Sequence, residues 1–175
     1  MENGSVNLTE YIRDIPDWPK KGILFRDITP LLANPKAFAC AVDVLAGRYK
    51  NKNIDYVAAV EARGFIFGAA VAAKLNVGFV PIRKKGKLPF KTDSITYDLE
   101  YGTDTLQVHI DAVKKGSSVL MIDDLLATGG TMAAACKLIE KIGGQIAGIA
   151  FLIELTALQG RKKIADYNIS VELSY

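Results

Sequence analysis

A chain of 175 residues, half of them apolar and 23% charged, has the ordinary balance of one compact soluble domain with its own hydrophobic core. The net charge of +3 is too small to imply nucleic-acid binding unless the basic residues cluster. The polar N-terminal stretch lacks the apolar core of a signal peptide, and no apolar run reaches membrane-spanning length, so a cytoplasmic protein with no membrane partner is expected. Cys40 and Cys136 stand far apart in apolar stretches without a CxxC spacing, which reads as two reduced thiols.

Residues 8–15 have the pattern of a short amphipathic helix, stopped by Pro16 and Pro19. A loop is expected over 20–30, after which Asn34-Pro35 opens a helix carried on by Phe38, Val42 and Leu45. A buried strand fits 56–60, Glu61-Ala62-Arg63-Gly64 breaks it, and 65–75 reads as a helix. Strand 77–82 leads into a polar, basic stretch from Arg83 to Gly102. Its second half alternates from Ser94 to Tyr101, the pattern of a solvent-facing hairpin or flap. Strands are expected at 106–110 and 118–122, a helix at 131–142 stopped by Gly143-Gly144, and strands at 146–153 and 169–173. Repeated strand–helix alternation predicts an α/β domain with a mainly parallel sheet. In such sheets ligands gather beyond the carboxyl ends of the strands, where both motifs described next fall.

The most informative string is Val119-Leu120-Met121-Ile122-Asp123-Asp124-Leu125-Leu126-Ala127-Thr128-Gly129-Gly130-Thr131. An apolar strand runs into two acids, then into a small-residue turn, then into a helix. The turn offers closely spaced backbone N–H groups, two hydroxyls and two glycines without Cβ. With the helix N-terminus it makes a pocket for a phosphate dianion. No Lys follows the glycines, which excludes a Walker A loop, and the GxGxxG spacing is absent. Carboxylates so near an anion cradle make sense if the ligand also carries hydroxyls, as a ribose does, or a bound magnesium. Two acids before a glycine turn would by themselves more often be a solvated strand end; the whole string is far more specific.

That string resembles, nearly residue for residue, the phosphoribosyl-pyrophosphate motif of the type I phosphoribosyltransferases. The resemblance implies an α/β fold with a mainly parallel central sheet flanked by helices and a flexible flap or hood. It also implies one domain over 1–175, with a base-binding segment at about 1–34 and the flap at about 83–105. By the same likeness Ala127, Thr128, Gly129, Gly130 and Thr131 hold the 5-phosphate, while Asp123 and Asp124 face the ribose 2- and 3-hydroxyls.

Glu61-Ala62-Arg63-Gly64-Phe65 repeats the strand–turn–helix logic, with Arg63 able to meet an anion from the side. A lone Arg at such a turn is usually a surface cation. Beside the first motif it resembles the pyrophosphate loop of the adenine-specific branch, which implies contacts from Ala62 and Arg63 and a cis peptide near Glu61–Ala62. Arg83-Lys84-Lys85-Gly86-Lys87 has no interleaved aromatic residues of the kind that bind single-stranded nucleic acid. The likeness assigns Arg83, Lys84 and Lys87 to the pyrophosphate. Tyr97-Asp98-Leu99-Glu100-Tyr101-Gly102 resembles the catalytic loop of the family, which places Glu100 and Tyr101 beside Arg63 as catalytic residues. Closing such a loop excludes water, so that transfer beats hydrolysis. Phe90-Lys91 departs from the Gly-Glu usual after Leu-Pro, which bears on the mobility of the flap.

The early segment from Gly22 to Ile28 is similar to the base-binding segment of the family. Phe25 would stack on a purine, backbone groups of Leu24 and Arg26 would read its polar edge, and Leu155 would close the apolar side. Without that context Phe25 is more often a core residue than a stacking platform. Oxopurine relatives carry an Asp where this chain has Ala127, and that Asp exchanges a proton with purine N7. Its replacement leaves the task to Glu100 and disfavours oxopurines. His109, the sole histidine, reads as structural. The implied reaction converts adenine and 5-phosphoribosyl 1-pyrophosphate into AMP and pyrophosphate, a purine salvage step. The implied cofactor is Mg2+, held through the donor and water with Asp123 or Asp124 as the candidate carboxylates, and the implied assembly is a homodimer. Two alternatives stay open: another purine such as hypoxanthine or xanthine, or a non-catalytic purine-sensing regulator of the same fold.

Overall fold

The computed structural model describes residues 6–99 and 102–175, so Glu100 and Tyr101 lie outside the described residues. The chain forms two compact units, divided between Val44 and Leu45.

In the first unit, Asn7 accepts from the Thr9 N–H and starts a 3-10 turn, Leu8–Tyr11. Strand β1, Arg13–Pro16, then pairs antiparallel with β2, Leu24–Asp27, aligning Ile15 with Phe25. The helix expected over 8–15 is therefore a single turn followed by a strand. So short a segment does not sustain a helix alone, and pairing with β2 satisfies its backbone groups instead. The expected loop over 20–30 is correspondingly shortened. It yields β2 and then helix α1, Thr29–Ala33, with Asp27 accepting from the Thr29 N–H at 2.9 Å and its hydroxyl at 2.7 Å. Helix α2, Pro35–Gly47, starts where Asn34-Pro35 predicts. Asn34 Oδ1 accepts from the Lys36 and Ala37 N–H groups at 3.0 Å, filling the usual capping role.

The second unit is built on seven strands: β3 (Tyr56–Val60), β4 (Gly78–Lys84), β5 (Thr92–Leu99), β6 (Gly102–His109), β7 (Ser118–Leu126), β8 (Gln145–Glu154) and β9 (Ile169–Ser174). Their order in the sheet is β5-β6-β4-β3-β7-β8-β9. Strands β4, β3, β7, β8 and β9 run parallel, while the β5–β6 hairpin joins β4 antiparallel through β6. The alternating stretch before Gly102 is thus one arm of a hairpin, paired from Thr92–His109 to Leu99–Gly102.

Helices α3, Arg63–Leu75, and α4, Gly130–Lys141, cover opposite faces. Ala58, Val60 and Met121 point into one buried cluster with Met132, Ala135 and Leu138 of α4. Ala59 points the other way, where a Cβ on Gly68 of α3 would stand 2.6 Å from its own Cβ. Helix α3 begins two residues earlier than the sequence suggests, at Arg63, and Asn76 ends it in the left-handed conformation. Strand β7 also runs beyond the expected Ile122, because Leu125 and Leu126 continue the pairing with Ile153 and Glu154 of β8. From β3 the chain crosses through α3 to β4 on one side; from β7 it crosses through α4 to β8 on the other. The neighbours β3 and β7 therefore flank a topological switch point, and a crevice opens at their carboxyl ends.

Candidate active site

Two turns meet in that crevice. Beyond β3 the Glu61–Ala62 peptide is cis and Arg63 is the first residue of α3, whose N-terminus has no side-chain cap. Gly64 is required by close approach, since a Cβ there would lie 2.7 Å from Asp123 Oδ1. Beyond β7 the chain turns through Ala127 and Thr128 into Gly129, at φ +77°, and Gly130 starts α4, again with no side-chain cap. The open N–H groups at this start are donors for an anion. Glu61, Ala62 and Arg63 line the same cavity, of about 240 Å³, as Asp123, Asp124 and the whole turn Ala127-Thr128-Gly129-Gly130-Thr131. One cavity therefore holds both turns, spaced as neighbouring strand ends.

The charges in it are arranged in contacting pairs. Arg63 Nε lies 2.9 Å from Asp124 Oδ2, and Asp123 Oδ1 accepts from the Asp124 N–H at 2.9 Å. Burial pushes the Asp123 carboxyl well above the usual carboxylate range, and the neighbouring charge of Asp124 adds to the rise. Asp124 is also raised by burial, with the Arg63 guanidinium opposing it. Arg83 Nε approaches Glu61 Oε1 at 3.3 Å, while the Lys84 N–H donates to the same oxygen at 2.7 Å. Burial pushes Glu61 up, yet these donors bring it below its ordinary value. Lys84 Nζ pairs with Asp104 Oδ2 at 2.7 Å, and the Lys87 carbonyl accepts from Arg83 Nη1 at 3.1 Å. The basic stretch thus reaches the cavity rim through Glu61, with Arg83 and Lys84 engaged by acids of the protein. From the hairpin, the Tyr97 hydroxyl lies 3.2 Å from Thr131 Oγ1.

Comparison with known proteins agrees with this geometry. The family model described as a phosphoribosyl transferase domain matches residues 27–173. The chain is 60% identical over 160 residues to the adenine phosphoribosyltransferase of Maridesulfovibrio salexigens, covering 91% of this chain and 94% of that one. The crystal structure of adenine phosphoribosyltransferase from Thermoanaerobacter pseudethanolicus superposes with a TM-score of 0.93 at 53% identity, covering 96% of this chain and 98% of that one. That from Saccharomyces cerevisiae, complexed with an imino-altritol bisphosphate and adenine, gives 0.86 at 39% identity and 94% coverage of both chains. The chain belongs to the adenine phosphoribosyltransferase family.

The residues that family likeness assigns to the base lie in both units. Leu24, Phe25 and Arg26 are on β2 of the first unit, with Leu24 exposed and the other two half-buried. The Phe25 ring meets Trp18 edge-on, centroids 4.4 Å apart, and Arg26 is ion-paired with Asp14. Leu155 follows β8 in the second unit, half-buried, its N–H donating to the Leu126 carbonyl at 2.9 Å. Glu100 and Tyr101 lie outside the described residues. His109 sits half-buried on β6 with its ring edge-on to Phe90. Sequence reasoning placed Tyr97 in the catalytic loop without a role of its own, because its alternating strand gives no hint that Thr131 is its partner. It missed Gly160, in the 3-10 turn Gly160–Ile164, where a Cβ would stand 2.2 Å from the Ala127 carbonyl oxygen. Among the described residues no helix is long and apolar enough to cross a membrane, and no three His, Cys, Asp or Glu side chains cluster as a metal site.

Proposed function

We propose that the chain transfers the phosphoribosyl group of 5-phosphoribosyl 1-pyrophosphate to adenine, giving AMP and pyrophosphate, as a magnesium-dependent step of purine salvage in the cytoplasm. The observation that carries this reading is the single cavity lined by Ala62 and Arg63 on one strand end and by the turn from Ala127 to Thr131 on its neighbour. A sugar with a phosphate at one end and a diphosphate at the other finds a cradle for each. The names of the relatives and the adenine complex of the yeast protein support the choice of base. Cys40 and Cys136, held as thiols and not as a disulfide, suit a reducing compartment.

In the proposed mechanism purine N9 bonds to C1 of the sugar as the bond from C1 to the pyrophosphate oxygen breaks, through an oxocarbenium-like state. No covalent nucleophile is needed, so positioning and charge stabilisation do the work. Asp123 and Asp124 accept from the ribose hydroxyls and stabilise positive charge on the ring. Glu100 exchanges a proton at N7, with Tyr101 beside it on the flap. Phe25 stacks on the base, Leu24 and Arg26 read its polar edge, and Leu155 closes the apolar side. Arg63, Arg83, Lys84 and Lys87 offset charge on the departing pyrophosphate. For Lys84 this means exchanging Asp104 for ligand oxygens, a small loss because exposed ion pairs contribute about 0–1 kcal/mol. The donor set fits Mg2+: the adjacent carboxylates of Asp123 and Asp124 that line the cavity suit an ion that keeps waters and takes substrate phosphates as ligands. When bound, the ion neutralises charge on the pyrophosphate oxygens.

The test is pyrophosphate release from the sugar donor with adenine, hypoxanthine, guanine or xanthine, each with and without magnesium. Release with adenine and magnesium alone is the expected pattern. Preference for an oxopurine overturns the choice of base, and binding without release favours the regulator. A homodimer is part of the proposal, and light scattering checks it.

A further inference from the structure

The turn from Ala127 to Thr131 has no cation of its own. The guanidinium that shares its cavity, Arg63, is in contact with Asp124, and two carboxylates line the same space. A phosphate dianion held there by N–H groups alone would face uncompensated negative charge. The structure brings a countercharge from a distant part of the chain. The 3-10 turn Gly160–Ile164 docks backbone to backbone on the phosphate turn: a Cβ on Gly129 would stand 2.3 Å from the Gly160 oxygen, and one on Gly160 2.2 Å from the Ala127 oxygen. Ile164, 1% exposed, anchors that segment in the core.

Its three consecutive cations diverge. Arg161 is bound by Glu154 at 2.8 and 2.9 Å, and Lys162 lines a separate surface cleft. Lys163 reaches back to the phosphate turn, its Nζ 3.7 Å from where a Cβ on Gly130 would sit. It makes no hydrogen bond or ion pair with another described residue. We propose that Lys163 is a phosphate-binding residue whose ammonium supplies the countercharge for the 5-phosphate held by the turn from Ala127 to Thr131. This rests on the proposed function and adds to it a contact from outside the sequence motif. Gly160 has a part in it: only a residue without Cβ lets the segment come close enough to aim Lys163 at Gly130.

Calorimetric titration of the whole chain with ribose 5-phosphate, and separately with adenine, tests the assignment. Lys163→Gln should weaken ribose 5-phosphate about tenfold, the scale of one charge contact of about 1.4 kcal/mol, and leave adenine binding as it was. Lys163→Arg, which keeps the charge, should retain ribose 5-phosphate binding within about threefold. Parent-like ribose 5-phosphate binding by Lys163→Gln overturns the role of Lys163 and leaves the phosphate turn standing. Loss of both ligands by that variant overturns it too, since the side chain would then be structural. A parent protein that binds no ribose 5-phosphate removes the phosphate turn itself, and Lys163 with it.

Discussion

Two carboxylates side by side at the end of a buried strand are costly to ionise, and burial together with the neighbouring Asp124 charge raises Asp123. Its folded-state value lies above its unfolded one, so the folded chain holds the proton more tightly. The stability this provides is complete below the ordinary aspartate value of about 3.9 and is lost as pH rises through the folded value. Asp123→Asn should therefore melt a few degrees above the parent at neutral pH, while activity falls; the gap should close at acidic pH. A variant that melts lower than the parent at neutral pH, in a thermal scan without ligand, contradicts the burial argument. Glu100 can be tested independently of stability. Glu100→Gln should cut turnover by about 10²–10⁴-fold and leave the affinity for the sugar donor nearly intact. Unchanged turnover takes Glu100 out of proton exchange.

At the scale of elements, the site depends on how closely backbone can approach backbone. Gly129 combines φ +77° with a Gly160 carbonyl oxygen 2.3 Å from the position of any Cβ, so no side chain fits without moving the turn or the segment behind it. Gly129→Ala should cost about 1–3 kcal/mol in chemical denaturation and weaken the sugar donor more than adenine. An alanine variant as stable as the parent would show that the two segments are not locked together. The same reasoning accounts for Gly64 against Asp123 and Gly68 against Ala59: α3 lies close over the strands that carry the acids. The hairpin adds a further tie through Tyr97 and Thr131, so the flap strand touches the very turn proposed to hold the phosphate.

At the scale of the whole molecule, a ligand that bridges the ends of β3 and β7 should couple to global stability, because it binds only when both strand ends are in register. Sugar donor with magnesium at about 100 times its Kd should add about 2.7 kcal/mol. For a chain of this size that raises the melting temperature by about 5–10 °C. A melting temperature indifferent to the donor would mean that the cavity is not its site.

What could be read from the chain alone was local. Apolar runs at 56–60 and 118–122 marked β3 and β7, Asn34-Pro35 marked the start of α2, and the glycine turns marked where β3 and β7 give way to helices. These features follow from the conformations and donors of a few neighbouring residues, and so does the family resemblance. The segment over 8–15 misled because its apolar spacing suits a short helix, while its actual partner, β2, lies across a loop. Only tertiary structure put Arg63 and Thr131 in one cavity, engaged Arg83 and Lys84 with Glu61 and Asp104, and brought Tyr97 and Lys163 to the turn that follows β7. Parallel pairing joins strands far apart in the chain, and nothing in the spacing of residues along it records which strand ends become neighbours.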